Sequence, residues 1–369
     1  MHSHLLKAAI AIVGLAAFPL PIARASLMAS LAPEHYQAHK DLAMNPAYRF
    51  ACYVRVTRQS GSVVTSSGVA IAPNLILTSA HGIPSATSTA VVSSVTMGAT
   101  VFASDAVSCP VARWERYPGY VPGNTNTLDF GLIYLDEYIQ GFTPIAFGST
   151  SPGQILTLVE YGRIAQLGDS ASSPSLGDRM AGYTPVSTIA ANGYPSALYF
   201  STLLEADTPA NSLNVMGLPG SSGGGYWNEN GYLVGIHTAQ SNGFDFGFGT
   251  ALRLDNQDIL SFVNPRIASS WAEFYAQRQP ELRNISIEAS AASQPAKFSG
   301  TVVSGPPGGT ARLQASLDLG TTDPWADVAG VTLDAEGSAT FTNIPDSRPH
   351  ALGTQSDYFR VVTEPPSPP

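Results

Sequence analysis

Charge is scarce in this chain. Asp, Glu, Lys and Arg make up 12% of 369 residues, and the 27 acids outnumber the 18 basic residues for a net charge of −9. No run of Lys or Arg exists to neutralise phosphates, so nucleic acid and anionic lipid are poor partners. Only two cysteines occur, Cys52 and Cys109, and neither forms a Cys/His cluster with metal-ligand spacing. His35 and His39 stand one helical turn apart, but H-E-x-x-H and a third ligand are lacking, so no metal or other cofactor is expected. Alternating βαβ units are also missing. Gly (34) and Pro (28) are plentiful, and short alternating apolar runs lie between them. That texture predicts an all-β fold, a closed barrel or a sandwich.

Long apolar runs are lacking too, except at the start. Lys7 precedes the apolar stretch Ala8 to Leu20, and Ala23-Arg24-Ala25 is an A-x-A pattern. Pro19 and Pro21 make the run too short for a membrane span of ~20 residues. The stretch 1–25 therefore reads as a signal peptide cleaved after Ala25, for a secreted or periplasmic protein without membrane insertion. Losing Lys7 and Arg24 takes the net charge from −9 to −11. An oxidising compartment favours a Cys52–Cys109 disulfide.

Residues 26–47 form a polar, helix-prone arm or pro-segment ahead of the first strand. Strand patterns follow in YRFACYVRV, in SGVAIAPNLILTSAHG (67–82, turning at Pro73-Asn74), in LDFGLIYL (128–135), QILTLVEYG (154–162) and SALYFSTLL (196–204). A long surface loop is expected over 162–182. GYLVGIHTA (231–239) and FDFGFGTALRL (244–254) complete the strands, and two helical runs follow, divided by Pro265 and ended by Pro280. The pattern defines a main domain over 48–280. Composition shifts near 284, and 281–369 reads as a small β-sandwich-like domain with a Pro-rich tail, suited to contact a surface or polymer or to act as a spacer.

The chemistry centres on GLPGSSGGGYW (217–227). Gly220-Ser221-Ser222-Gly223-Gly224 fits both G-x-S-x-G and G-x-S-G-G, and either would expose Ser222 as a nucleophile; a plain glycine loop is the third reading. A serine nucleophile needs a base and a carboxylate to orient that base. Of seven histidines, His2 and His4 leave with the leader, His35 and His39 lie in the arm, and His350 lies in the last domain. His81 and His237 remain. Asp129 stands directly before a continuous apolar strand, where a carboxylate needs a partner. An α/β-hydrolase runs Ser, acid, His; this chain runs His81, Asp129, Ser222 and lacks alternating β/α units.

In that order LTSAHG, DFGLIYL, GLPGSSGGG and GYLVGIHT resemble the base, acid, nucleophile and pocket-wall motifs of trypsin-like serine proteases, and the bacterial secreted branch above all. The resemblance spans roughly 48–265. It implies two six-stranded β-barrels of the chymotrypsin type with the site between them and a closing C-terminal helix. It also implies Ser222 as nucleophile, His81 as general base and Asp129 as orienting acid, with the Gly220 and Ser222 N–H groups as the oxyanion hole. The function implied is a secreted serine endopeptidase acting on polypeptides. The alternatives are a secreted esterase and a non-catalytic binding protein on the same scaffold.

Three departures from the family pattern stand out. Ser221 occupies the place of an aspartate that pairs with a new N-terminus in many relatives. Gly82 follows His81 where a disulfide cysteine is usual. Met216 lies at the pocket base where a trypsin carries aspartate, which argues against cleavage after Arg or Lys. His237 in "GIH" resembles glutamyl endopeptidases, where that histidine meets a substrate carboxylate; the other reading is a histidine packed behind the pocket. Gly217 replaces a hydroxyl residue of those enzymes. Thr238, Ala239 and Gln240 would pair with extended substrate.

Overall fold

The computed structural model describes residues 26–28, 32–166, 177–188, 193–205, 213–242, 246–277, 281–288, 297–303, 305, 308–316, 326–335, 337–345 and 358–364. The expected signal peptide, 1–25, and the residues beyond 364 lie outside the described residues.

The chain begins with a short strand, β1 (Ser26–Met28), and a helix, α1 (Pro33–Ala43). Seven strands follow: β2 (Ala51–Thr57), β3 (Val63–Ala72), β4 (Leu75–Thr78), β5 (Val91–Met97), β6 (Val107–Cys109), β7 (Val111–Arg116) and β8 (Gly131–Leu135). They form one sheet in the order β6-β5-β2-β3-β4-β8-β7. Its two edges, β6 and β7, are one run of chain bent at Pro110, which has no N–H to offer a ladder. The two edges are therefore joined through the chain and not by a ladder, so this first half is a half-barrel and not the closed six-stranded barrel expected from the resemblance. Val54, Ala70, Ile76, Val95 and Ile133 fill its interior.

The second half supplies β9 (Ile155–Glu160), β10 (Ile164–Gln166), β11 (Met180–Thr188), β12 (Tyr199–Glu205), β13 (Val215–Met216), β14 (Gly225–Trp227), β15 (Leu233–Asn242) and β16 (Phe246–Arg253). Six of these close a barrel in the order β11-β12-β16-β15-β14-β9. A shared core joins the two halves: Leu75, Leu77, Phe130 and Leu132 from the first meet Val159, Tyr161, Trp227 and Leu252 from the second. Trp227 is fully buried, with its ring 5.3 Å from that of Tyr48.

Three further sequence expectations are corrected. Cys52 and Cys109 are both buried free thiols rather than a disulfide. Cys52 lies on β2 and Cys109 on β6, with β5 between them. Two strand spacings come to about 10 Å, and a disulfide needs Cα atoms within about 7 Å. The expected loop over 162–182 contains β10, which pairs in parallel with β1 (Ser26 beside Ile164), and the first residues of β11; its middle, 167–176, lies outside the described residues. The two helical runs are a single helix, α2 (Gln257–Gln277), with Pro265 inside it. One missing N–H costs about 3 kcal/mol. Packing of Phe262 on Tyr117 and Phe130, and of Trp271 on Phe142, offsets it.

The arm is locked onto the second barrel. Between β10 and β13 lies β1, and Leu27 stands opposite Met216. From α1, Tyr36 donates to Asp178 (2.8 Å), Lys40 pairs with Asp178 (3.2 Å) and His39 Nδ1–H donates to the Ala181 carbonyl (2.7 Å). His39 is thereby turned into the protein body, and burial holds its pKa below the usual value. Deleting residues 26–44 is expected to lower the melting temperature by on the order of 10 °C, the equivalent of ~3 kcal/mol of lost packing. A shortened protein that melts normally would mean that the arm is a removable pro-segment.

Beyond α2 come β17 (Glu281–Glu288), β18 (Lys297–Val303), β19 (Thr310–Ser316), β20 (Ala326–Thr332), β21 (Ala339–Pro345) and β22 (Tyr358–Glu364). They form two three-stranded sheets, β17-β18-β21 and β20-β19-β22, around Phe298, Val302, Ala311, Leu313, Leu333 and Phe341. This is the small sandwich-like unit expected from alternation.

Candidate active site

Three separate stretches of chain meet between the two halves. Strand β4 ends in a one-turn 3-10 helix, Ala80–Gly82, that carries His81. Glycine is required after it: a Cβ on Gly82 would lie 2.5 Å from Ser66 Oγ and 2.8 Å from Ser79 Oγ. Asp129 precedes β8 and receives two bonds from His81, one from the backbone N–H to Oδ1 (3.0 Å) and one from Nδ1 to Oδ2 (2.6 Å). A carboxylate only accepts, so Nδ1 carries the proton and Nε2 is left as an acceptor. Ser222 Oγ lies 2.7 Å from Nε2 and donates to it. The His81 side chain is 37% exposed and that of Asp129 only 14%, so the ring reaches solvent while its anchor does not. Tyr199 supports the anchor from below: its hydroxyl accepts from the Asp129 N–H (3.1 Å) and donates to the Thr127 carbonyl (2.6 Å).

The turn carrying Ser222 is held by the first half. Its carbonyl accepts from Ser67 N–H (2.8 Å) and Ser66 Oγ (2.6 Å), and Ser67 Oγ donates to the Gly220 carbonyl (3.0 Å). Gly220 and Gly223 bracket the serines at φ +99° and +85°, conformations that favour glycine. Among the described residues, nothing accepts from the N–H of Gly220 or of Ser222, so both are free to serve an oxyanion. Ser221 is fully buried and Ser222 is not, which separates the two serines of the motif.

The residues assigned to the pocket are also gathered. Met216 is buried on β13 beside Leu204 and Leu218. A Cβ on Gly217 would lie 2.7–2.8 Å from three ring atoms of His237, so this glycine lets the imidazole lie flat against the backbone. His237 is fully buried. Gln240 Oε1 only accepts, so Nε2–H of His237 donates to it (3.3 Å), and Tyr226 donates to Nδ1 (2.9 Å). Burial pushes the His237 pKa down to about 4, leaving the ring neutral near pH 7. Ala239 and Gln240 pair with β16 (Thr250 and Gly249), and Thr238 Oγ1 donates to the Thr250 carbonyl (3.1 Å). Since β14 pairs only as far as Ile236, no described strand covers the opposite edge of β15 beyond that point. That edge is open to an extended peptide.

One acidic group escaped the sequence reading. Glu160 ends β9 and is 1% exposed. Its Oε2 accepts from Ser221 Oγ (3.0 Å) and from the Gly162 N–H. Burial raises its pKa to about 7, with both bonds pulling the other way. The available signal was an acid inside the apolar run ILTLVEY. The shift fixes a sign. An unfolded Glu titrates near 4.5, so the folded-state pKa is raised, and Glu160 is neutral on both sides of the transition below that pH. Stability is then lost as pH rises through about 7. Glu160→Gln is expected to raise stability at pH 8 by up to ~3 kcal/mol for a shift of this size, read as a higher melting temperature, and to change it little at pH 4.5. Equal effects at both pH values would refute this titration.

Residues 66–236 match the family described as trypsin-like peptidase domain. The matched stretch is similar to that family and contains His81, Asp129 and Ser222. Two solved structures resemble part of it. One, described as the structure of GrC, is 17% identical, covers 61% of this chain and 97% of its own, and has a TM-score of 0.47. The other, a Glu endopeptidase in complex with MPD, is 19% identical, covers 61% of this chain and 92% of its own, and has a TM-score of 0.42. No curated protein matches the chain.

Proposed function

We propose that this protein is an exported endopeptidase that hydrolyses peptide bonds through an acyl-enzyme on Ser222. The observation that carries the reading is the unbroken chain Asp129–His81–Ser222, with links of 2.6 and 2.7 Å. His81 Nε2 takes the Ser222 proton as Oγ attacks the scissile carbonyl, and the Gly220 and Ser222 N–H groups receive the oxyanion. The imidazolium then protonates the leaving amine. Water, deprotonated by the same nitrogen, hydrolyses the acyl-enzyme. Asp129 keeps the proton on Nδ1 and offsets the charge on the ring. The leader 1–25 provides export, and the protease unit comprises 48–280 together with the arm packed on it. The 281–369 unit serves as a surface or polymer contact or as a spacer. Among the described residues no helix is long and apolar enough to cross a membrane.

At the pocket, His237 favours an acidic residue at the cleavage point. Among the described residues its buried Nε2–H is bonded to the side chain of Gln240 alone, and a substrate carboxylate can replace that amide oxygen. Met216 at the base gives a cationic side chain no counter-charge.

One experiment tests both readings. The secreted protein is incubated with an unfolded protein mixture and with small esters, and the new termini are read by mass spectrometry. Cuts clustered after Glu or Asp, and lost as a cluster in His237→Ala, are the expected result. Cuts after Leu or Phe would remove His237 from substrate recognition. Ester hydrolysis without peptide cuts would favour the esterase.

A further inference from the structure

Beneath the turn that bears Ser222 lies a carboxylate to which the proposed reaction gives no role. Glu160 Oε2 accepts from Ser221 Oγ (3.0 Å), and the same Oγ accepts from the Leu218 N–H (3.0 Å). The Ser221 backbone N–H closes the turn on the Leu218 carbonyl (2.9 Å). One residue on, Tyr161 N–H donates to Ser67 Oγ (2.9 Å), which in turn donates to the Gly220 carbonyl. The end of β9 thus holds the 218–222 turn at two points, Ser221 directly and the Gly220 carbonyl through Ser67.

Room has been made for this carboxylate. A Cβ on Gly162 would lie 2.6 Å from both Glu160 Oε2 and Ser221 Oγ, and one on Gly224 would lie 2.7 Å from Glu160 Cβ. Its Oε1 has no hydrogen-bond partner among the described residues. A buried carboxylate with an unsatisfied oxygen is a burden on folding, and an apolar side chain would pack there at less cost. Its retention points to a task performed through Ser221.

We infer that Glu160 and Ser221 are positioning residues for the oxyanion hole, a carboxylate–hydroxyl relay that fixes the Leu218–Ser222 turn so that the Gly220 and Ser222 N–H groups converge on one point. The inference rests on the catalytic reading given above. The relay touches neither substrate nor His81, so its loss alters the placement of the oxyanion donors and leaves peptide binding along β15 intact. Removing one such donor costs about 10²- to 10³-fold in kcat, and a displaced one somewhat less.

The test uses the full exported chain and a peptide containing a mapped cleavage site. Ser221→Ala removes a single oxygen from a buried position and should fold. It is expected to lower kcat on the order of 10- to 100-fold with KM within about threefold. Glu160→Ala should do the same, the double variant should be no slower than the slower single variant, and Glu160→Gln, which keeps an accepting oxygen, should recover most of the rate. Wild-type kcat in Ser221→Ala would overturn the relay, even if Glu160→Ala fails to fold. So would effects that multiply in the double variant, or a rise in KM as large as the fall in kcat. Ser222→Ala is run alongside. If it retains full activity, the catalytic reading itself fails, whereas loss there beside an unaffected Ser221→Ala rejects the relay alone.

Discussion

Ser222→Ala is expected to lower kcat on peptide substrates by on the order of 10⁶-fold, with KM changed little. The alanine keeps the turn, because the Ser67 N–H and Ser66 Oγ bonds to residue 222 end on its carbonyl and not on its side chain. Folding and melting temperature should therefore match the parent. What disappears is the hydroxyl 2.7 Å from His81 Nε2 that would form the acyl bond. Asp129→Asn is the companion variant. An asparagine amide can donate to Nδ1 and favour the tautomer with hydrogen on Nε2, which no longer accepts the serine proton. A loss of about 10⁴-fold follows from that tautomer alone. Initial rates on one purified peptide, measured at matched protein concentration, check both. Parental rates in Ser222→Ala would locate the nucleophile elsewhere, and Ser221 is then the next residue to replace.

Gly223→Ala should be strongly damaging to both folding and activity. Gly223 sits at φ +85°, where an alanine costs about 1–2 kcal/mol. A Cβ there would also overlap the Ser67 carbonyl oxygen and the Thr78 hydroxyl, one backbone and the other buried. Relief of that overlap must shift the turn away from β3 and β4, for a further ~1–3 kcal/mol. The sum, roughly 3 kcal/mol or more, corresponds to about 10 °C in melting temperature. Activity should fall on the order of 10²-fold even in the fraction that folds, since the Ser222 carbonyl loses its registry with Ser66 and Ser67. Thermal melts and active-site titration with an organophosphorus serine reagent separate the two losses. An unchanged melt would mean that the turn is free to shift without cost. Gly153→Ala is a useful control: it shares a positive φ of +84° with nothing within 4 Å of an added Cβ, and should show the backbone cost alone.

The strands were legible because their signal is local. Alternation in ACYVRV and the Pro73-Asn74 turn mark β2, β3 and β4 from neighbouring residues only, and the order His81, Asp129, Ser222 separates two enzyme architectures without any coordinates. Each residue of that trio also sits in a short motif whose chemistry is fixed by residue type. A buried acid in ILTLVEY was visible too, but its meaning was not. Glu160 matters because the turn at Ser221 folds back over the end of β9, and that meeting joins residues 61 positions apart.

The sequence by itself determined the fold class, the residues able to form a nucleophile, base and acid, and the absence of a counter-charge at Met216. Tertiary structure decided the rest. With β5 inserted between β2 and β6, Cys52 and Cys109 stay apart as thiols. Residues 26–28 become a strand because they pair between β10 and β13, so an arm of plain polar composition became part of the protein's frame. Pro265 remains inside a helix because aromatic packing on both sides outweighs one lost hydrogen bond. In each case the deciding quantity is which segment lies beside which, and that depends on long-range contacts rather than on the character of either segment.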